Sequence, residues 1–131
     1  MEAHMAEVQA GLNEAVLLGQ LVAPAEFRDL PSGSEVASFS VTVRRPGHKT
    51  TSVPVSWIDP PESFRTWQVG DMVVCRGPVV RRFFRAGPSL GSATEVVVQK
   101  AALVRHKARA AKVLAVSTAE IAACVDGLDA S

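Results

Sequence analysis

Met72-Val73-Val74-Cys75-Arg76-Gly77-Pro78-Val79-Val80-Arg81-Arg82-Phe83-Phe84-Arg85 is a long β-forming run, interrupted once at Gly77-Pro78. Proline gives a ladder no N–H donor, so the interruption reads as a bulge in one strand. Gly70-Asp71 ends the element before it. Upstream, Phe64-Arg65-Thr66-Trp67-Gln68 is entered through Pro60-Pro61-Glu62-Ser63 and spaces Phe64 and Trp67 three apart. That is one or two helical turns with proline tolerated at the start. Downstream, residues 86–93 hold two glycines, one proline and two serines and read as a loop. Thr94-Glu95-Val96-Val97-Val98-Gln99-Lys100-Ala101-Ala102-Leu103-Val104 reads as the following strand.

Three more strands precede the helix. In Val36-Ala37-Ser38-Phe39-Ser40-Val41-Thr42-Val43, apolar Ala37, Phe39, Val41 and Val43 alternate with Ser38, Ser40 and Thr42, the pattern of a half-buried strand. Ser52-Val53-Pro54-Val55-Ser56-Trp57-Ile58 is a strand whose Pro54 favours an edge or bulge. Ala15-Val16-Leu17-Leu18-Gly19-Gln20-Leu21-Val22 is too short for a helix and ends before Pro24, so it reads as a strand bent at Gly19. Residues 23–34, with Pro24, Pro31 and Ser32-Gly33-Ser34, read as a loop.

The resulting order β-β-β-α-β-β predicts an all-β fold: a five-stranded Greek-key oligonucleotide/oligosaccharide-binding barrel over residues 13–105, with one short helix between strands three and four. Residues 1–12 form an N-terminal extension, whose Met1-Glu2-Ala3-His4 before Met5 has the look of a cloning scar. Residues 106–131 read as an Ala-rich, partly helical, loosely attached tail. In it Ser117-Thr118-Ala119-Glu120 is a capping box and Gly127 a stop signal.

The 131 residues fit one domain plus this tail, long enough to fold without disulfides or metal. The net charge of +1 conceals a segregation: residues 1–75 carry five basic and nine acidic side chains, residues 76–112 nine basic and one acidic, and residues 113–131 no basic and three acidic. Cys75 and Cys124 lack metal-ligand spacing and read as reduced thiols of a cytoplasmic protein. No apolar run reaches the ~18–20 residues of a membrane span, and no secretory leader is evident. The three histidines neighbour no Cys, Asp or Glu in a motif, and no phosphate-cradling or nucleophile-elbow signature occurs. The expectation is a non-enzyme without cofactor or metal.

Arg81-Arg82-Phe83-Phe84-Arg85 points to single-stranded nucleic acid, because guanidinium groups neutralise phosphates while aromatic faces stack on bases. Alternation along a strand sends Phe83 and Phe84 to opposite faces, so one stacks and the other is core. A solvated basic rim around two core phenylalanines is the competing reading. Arg44, Arg45 and Lys49 form a second basic site on the hairpin after strand two, or an ordinary solvated turn. Trp57 lies near the path of bases, although an indole at a strand–helix junction also suits a core.

Asn13-x-x-x-Leu17-x-Gly19-x-Leu21, then a Pro/Glu-containing loop, Ser32-Gly33 and the strand ending Thr42-Val43, resembles the amino-terminal half of bacterial single-stranded-DNA-binding proteins. Gly70-Asp71-x-Val73-x-x-x-Gly77 with Arg82-Phe83-Phe84, and then Thr94-Glu95-Val96-Val97-Val98, is similar to the second half. The resemblance implies binding of single-stranded DNA, with RNA equally served by the same contacts, in replication, repair and recombination. It implies a homo-oligomer, dimer or tetramer, with Phe84 as the stacking aromatic. Val53 and Val55 stand where the family usually has an aromatic, and Arg44-Arg45 lacks the aromatic that commonly follows. The chain ends Asp126-Gly127-Leu128-Asp129-Ala130-Ser131 without the family's acidic Pro-Phe tip, so recruitment by that route is not expected. A compact divergent paralogue fits, and the alternative is a barrel acting as an adaptor or assembly subunit of a DNA-processing complex.

Overall fold

Short β-strands take up most of residues 15–103. The computed structural model describes residues 11–129, which form β1 (Ala15–Leu21), β2 (Glu26–Asp29), β3 (Glu35–Val43), β4 (Thr51–Ile58), β5 (Met72–Gly77), β6 (Val79–Ala86), β7 (Ser89–Val97) and β8 (Lys100–Leu103). A 3-10 helix spans Glu62–Thr66, and one α-helix among the described residues, α1, spans Lys107–Asp129. The scar reading of Met1-Glu2-Ala3-His4 falls outside the described residues.

The hydrogen-bonded order is β6-β7-β4-β3-β1-β5-β8, with β2 added to β3. All pairs are antiparallel except β4 with β7, where Val55 opposes Val96 and Ser56 opposes Val97. β7 and β8 lie near opposite ends of this order, yet only Val98 and Gln99 separate them in the chain. The Val98 N–H donates to the Ser56 carbonyl at 2.8 Å and the Gln99 N–H to the Arg76 carbonyl at 2.9 Å. The sheet therefore curls on itself. Inward residues of β1, β3, β4, β5, β7 and β8, with Val98 between the last two, meet in one core: Leu21, Ala37, Phe39, Val41, Val55, Trp57, Val73, Cys75, Val96, Val98 and Leu103. Fully burying a valine such as Val41 or Val55 stabilises by about 1.5–3 kcal/mol. Burial also pushes the Cys75 thiol up to about 12.

Four sequence expectations are corrected. The presumed loop at 23–34 contains β2, which pairs in register from Glu26–Ser38 to Asp29–Glu35. The presumed loop at 86–93 is mostly strand, because β6 turns into β7 through Gly87-Pro88 alone. The fourth and fifth strands are each two strands, divided at Pro78 and at Val98-Gln99, which brings the total to eight. The short helix is a 3-10 turn, and its Phe64 seats an aromatic plug: ring centroids lie 5.2 Å from Phe39, 5.3 Å from Trp57 and 4.9 Å from Trp67.

The tail is the largest correction. From Lys107 to Asp129 it is one continuous helix, and it is clamped to the sheet. Ala110 and Val113 bury themselves against Val74 and Ala102. Beside this contact the Arg76 guanidinium grips Glu14 with two hydrogen bonds, Nε to Oε2 at 2.5 Å and Nη2 to Oε1 at 2.7 Å. The Ser117 hydroxyl donates to the same Glu14 carboxylate at 2.5 Å, and Glu120 approaches Arg76 at 3.2 Å. The Arg76 and Glu14 side chains are 4% and 1% exposed, so each charge depends on the other for what water would supply. The Arg76 hydrogen bonds, with help from Ser117, hold the Glu14 carboxyl below the usual carboxylate range against the opposing effect of burial. The supposed capping box is thus mid-helix: Ser117 and Glu120 face the clamp, and the Thr118 hydroxyl donates to the Leu114 carbonyl. Gly127 lies within α1 and does not stop it.

Candidate nucleic-acid interface

The β6–β7 hairpin is paired throughout, from Val79–Val96 to Ala86–Ser89. Gly87 takes φ 62° at the first position of its two-residue turn, a conformation that glycine adopts freely. Only two residue pairs tie β7 to β4, so most of the hairpin stands off the sheet, and every residue of β6 is exposed. The expectation that one phenylalanine is core is therefore corrected. Phe83 is 60% exposed and Phe84 45%, because no packed layer covers either face of the hairpin at that point.

Alternation divides the five residues between two faces. Arg81, Phe83 and Arg85 share one, where the Arg81 guanidinium lies 5.1 Å from the Phe83 ring centroid and donates to the Ser92 hydroxyl at 3.2 Å. Arg82 and Phe84 share the other. Phe84 opposes Gly91 across the ladder, and its ring covers that glycine so closely that a Cβ on Gly91 would come 2.7 Å from the ring edge. Gly91 thus sets the ring's position.

The Arg82 face looks across a trough to the outer faces of β2, β3 and β4. Two adjoining cavities of about 380 and 180 Å³ share Ser38, Arg82 and Glu95. Ser40 and Pro54 line the larger; Arg28, Ser56 and Ile58 line the smaller. The floor therefore sets Ser38, Ser40 and Ser56 among apolar residues such as Val36, Pro54 and Ile58. Arg82 and Glu95 approach at 4.0 Å, and with Arg82 half exposed this ion pair contributes little. The guanidinium remains able to take another anion. Glu26 and Glu95 put negative charge into the same trough.

Because β7 runs parallel to β4, the free end of the hairpin points toward the turn between β3 and β4. That turn carries Arg44, Arg45 and Lys49, all exposed. Arg44 is drawn toward β1, donating to the Gln20 side chain at 2.8 Å. The second basic site is thus at the same end of the molecule as Arg85.

The chain matches no protein-family model and no curated protein.

Trp57 is the site residue that the structure removes. It is 8% exposed and packs against Phe64 and Trp67, so it has no face left for a base. Val53 and Val55 also point inward, packed against or within the core. An aromatic there would change the core, whereas the residues that β4 turns toward the trough are Pro54 and Ser56. The basic block at 76–112 is likewise divided. Arg76 is buried in the clamp, Arg81, Arg82 and Arg85 lie on β6, and Lys100, Arg105, Lys107, Arg109 and Lys112 lie on β8, the start of α1 and the turn between them, near the other end of the strand order. Sequence reasoning missed Arg28, inside its presumed loop. It quoted Ser38 and Ser40 as the polar half of an alternation without reading them as a floor.

Proposed function

We propose that the protein binds single-stranded nucleic acid, without strong sequence preference and without chemistry, along the trough between the β6–β7 hairpin and the outer face of β2–β4. The fold underlying this reading is an oligonucleotide-binding barrel. Its five strands are β1, β3, β4, β5 and the β7–β8 segment, with β2 and β6 as elaborations. The observation that carries it is one face of β6 that presents an exposed ring, Phe84, beside a guanidinium, Arg82, which lines the trough together with Ser38, Ser40 and Ser56. Arg82 supplies the counter-charge for a phosphate. Phe84, backed by Gly91, supplies a stacking plane worth about 1–3 kcal/mol per base. Phe83 with Arg81 offers a second plane on the reverse face, and Arg44, Arg45, Lys49 and Arg85 extend the positive end.

The decisive measurement is anisotropy of a labelled oligo-dT, repeated with the RNA equivalent, titrated at several salt concentrations. Binding that weakens steeply with salt is expected, since counterion release supplies much of the free energy. No binding at low salt rejects the proposal. Binding that survives loss of both β6 rings moves the contact elsewhere.

A further inference from the structure

β8 is the last strand of the order, with β5 along one edge and, among the described residues, no strand along the other. The Val104 N–H donates to the Met72 carbonyl at 2.9 Å, which fixes the phase of the β5–β8 ladder. Ala102 and Val104 turn their backbone groups to β5, and Ala101 and Leu103 turn theirs to the open edge. The Leu103 carbonyl accepts from the His106 N–H at 3.1 Å, but no ladder serves the Ala101 N–H and C=O. A strand edge left in this way is a template for another extended chain.

One flank of α1 overhangs that edge. Between them lies a cavity of about 570 Å³, lined by Ala101, Ala102, Val113, Val116 and Ala119. A smaller one of about 110 Å³ adjoins it at Ala101, Ala102 and Arg109 and continues to Thr66 and His106. Together they form one groove with an apolar floor. Its rim is cationic, since Lys100, Arg109 and Lys112 also line the larger part. All three are exposed, and none forms an ion pair among the described residues. No Asp or Glu lines either part of the groove.

Floor, rim and edge together select the occupant. Nucleic acid would answer the cations, but the larger cavity has no aromatic ring on which a base could stack, and its floor is methyl groups. A second copy adding its own β8 across a two-fold axis would set Lys100, Arg109 and Lys112 against themselves. An extended peptide with carboxylates and small apolar side chains matches all three features. Lys107, Arg109 and Lys112 moreover stand early in α1 with no acidic residue in its first turn. Cations there oppose the helix dipole, so a docked carboxylate offsets a cost already present.

We propose that the groove between β8 and α1 receives an acidic, extended segment of a partner protein, which hydrogen-bonds to Ala101 on the open edge of β8 and sets carboxylates against Lys100, Arg109 and Lys112. No residue that lines this groove lines the trough, so the inference stands independently of what the trough binds.

Anisotropy of a labelled, end-capped peptide of alternating aspartate and valine, titrated with the full chain at low salt, tests it. Saturable binding is expected, and its absence overturns the proposal. Equal binding of a lysine–valine counterpart also overturns it. Arg109→Glu combined with Lys112→Glu is expected to weaken peptide binding roughly a hundredfold, because like charges then face each other. The thermal unfolding midpoint is expected to hold, since both side chains are exposed and acidic residues early in a helix suit its dipole. Unchanged peptide affinity in that variant places the peptide elsewhere and overturns the proposal. Amide exchange at Ala101 is expected to slow in the peptide-bound chain, and unchanged exchange overturns addition to β8. Oligo-dT that displaces the peptide, with both ligands equally weakened by the double reversal, makes the groove a nucleic-acid track and overturns the peptide reading. A chain that binds the peptide but no oligo-dT rejects the trough and upholds the groove.

Discussion

Strands β5 and β6 are consecutive, separated by Pro78, and they use the same residue types for opposite ends. In β5 every residue after Met72 is buried, including an arginine; in β6 every residue is exposed, including two phenylalanines. The difference lies in the neighbours. β5 is flanked by β1 and β8 and roofed by α1, so Arg76 is enclosed and needs Glu14. β6 is the last strand of the order and has β7 alone beside it. Gly77 marks the division, since a Cβ there would collide with the Val97 carbonyl. An arginine next to a phenylalanine is thus neither a clamp nor a binding residue by composition. The strands beside it decide.

The contrast is most severely tested by Arg76→Ala. Removing one partner of a buried ion pair leaves the other charged and unpaired, so a loss of about 3–5 kcal/mol of stability is expected in urea unfolding. Oligonucleotide affinity of the molecules that remain folded is expected to be unchanged. Acid probes the same clamp. The Glu14 carboxyl titrates lower in the folded chain than in the unfolded one. Its contribution is therefore complete above the ordinary carboxylate range and disappears as pH falls through its folded value. A Glu14→Gln chain is expected to be less stable at neutral pH and to lose less on acidification, as thermal unfolding midpoints at successive pH values would record.

On β6 the expectations invert. Phe84→Ala is expected to weaken oligo-dT binding by about 1–3 kcal/mol with little change in salt slope or unfolding midpoint. If instead the chain unfolds, Phe84 holds structure and β6 resembles β5 after all. Arg82→Ala is expected to leave stability intact and to reduce the salt slope by about 0.7, the contribution of one phosphate contact on a single strand. The smallest effect belongs to Glu95→Gln. Removing the carboxylate beside Arg82 is expected to tighten binding slightly, most visibly at low salt.

The parts of this arrangement that were legible from sequence are those governed by local period. Alternation in residues 36–43 sends Phe39 and Val41 inward, and the arginines at 81–85 mark the β6 surface, although the same alternation predicts a core position for one of the two phenylalanines. What was hidden depends on distant partners. Glu14 and Arg76 are sixty-two residues apart, and neither carries a local sign of burial. Glu26–Asp29 has no apolar alternation because all four residues are exposed, and pairing with β3 alone makes it a strand. Gly87-Pro88 resembles loop punctuation until Ala86 and Ser89 are seen to pair across it. Trp57 alternates as an inward residue, but the plug that covers it is supplied by Phe64 and Trp67 from the next segment.

That plug has an optical consequence. Both tryptophans of the chain sit in it, their ring centroids 5.8 Å apart and each within 5.3 Å of Phe64. Neither lines the trough. Intrinsic emission therefore gauges the integrity of the core beneath the 3-10 turn, while occupancy of the β6 face leaves it dark. An indole introduced at Phe84 would give that face a signal of its own, and the two reporters could then be followed in one titration.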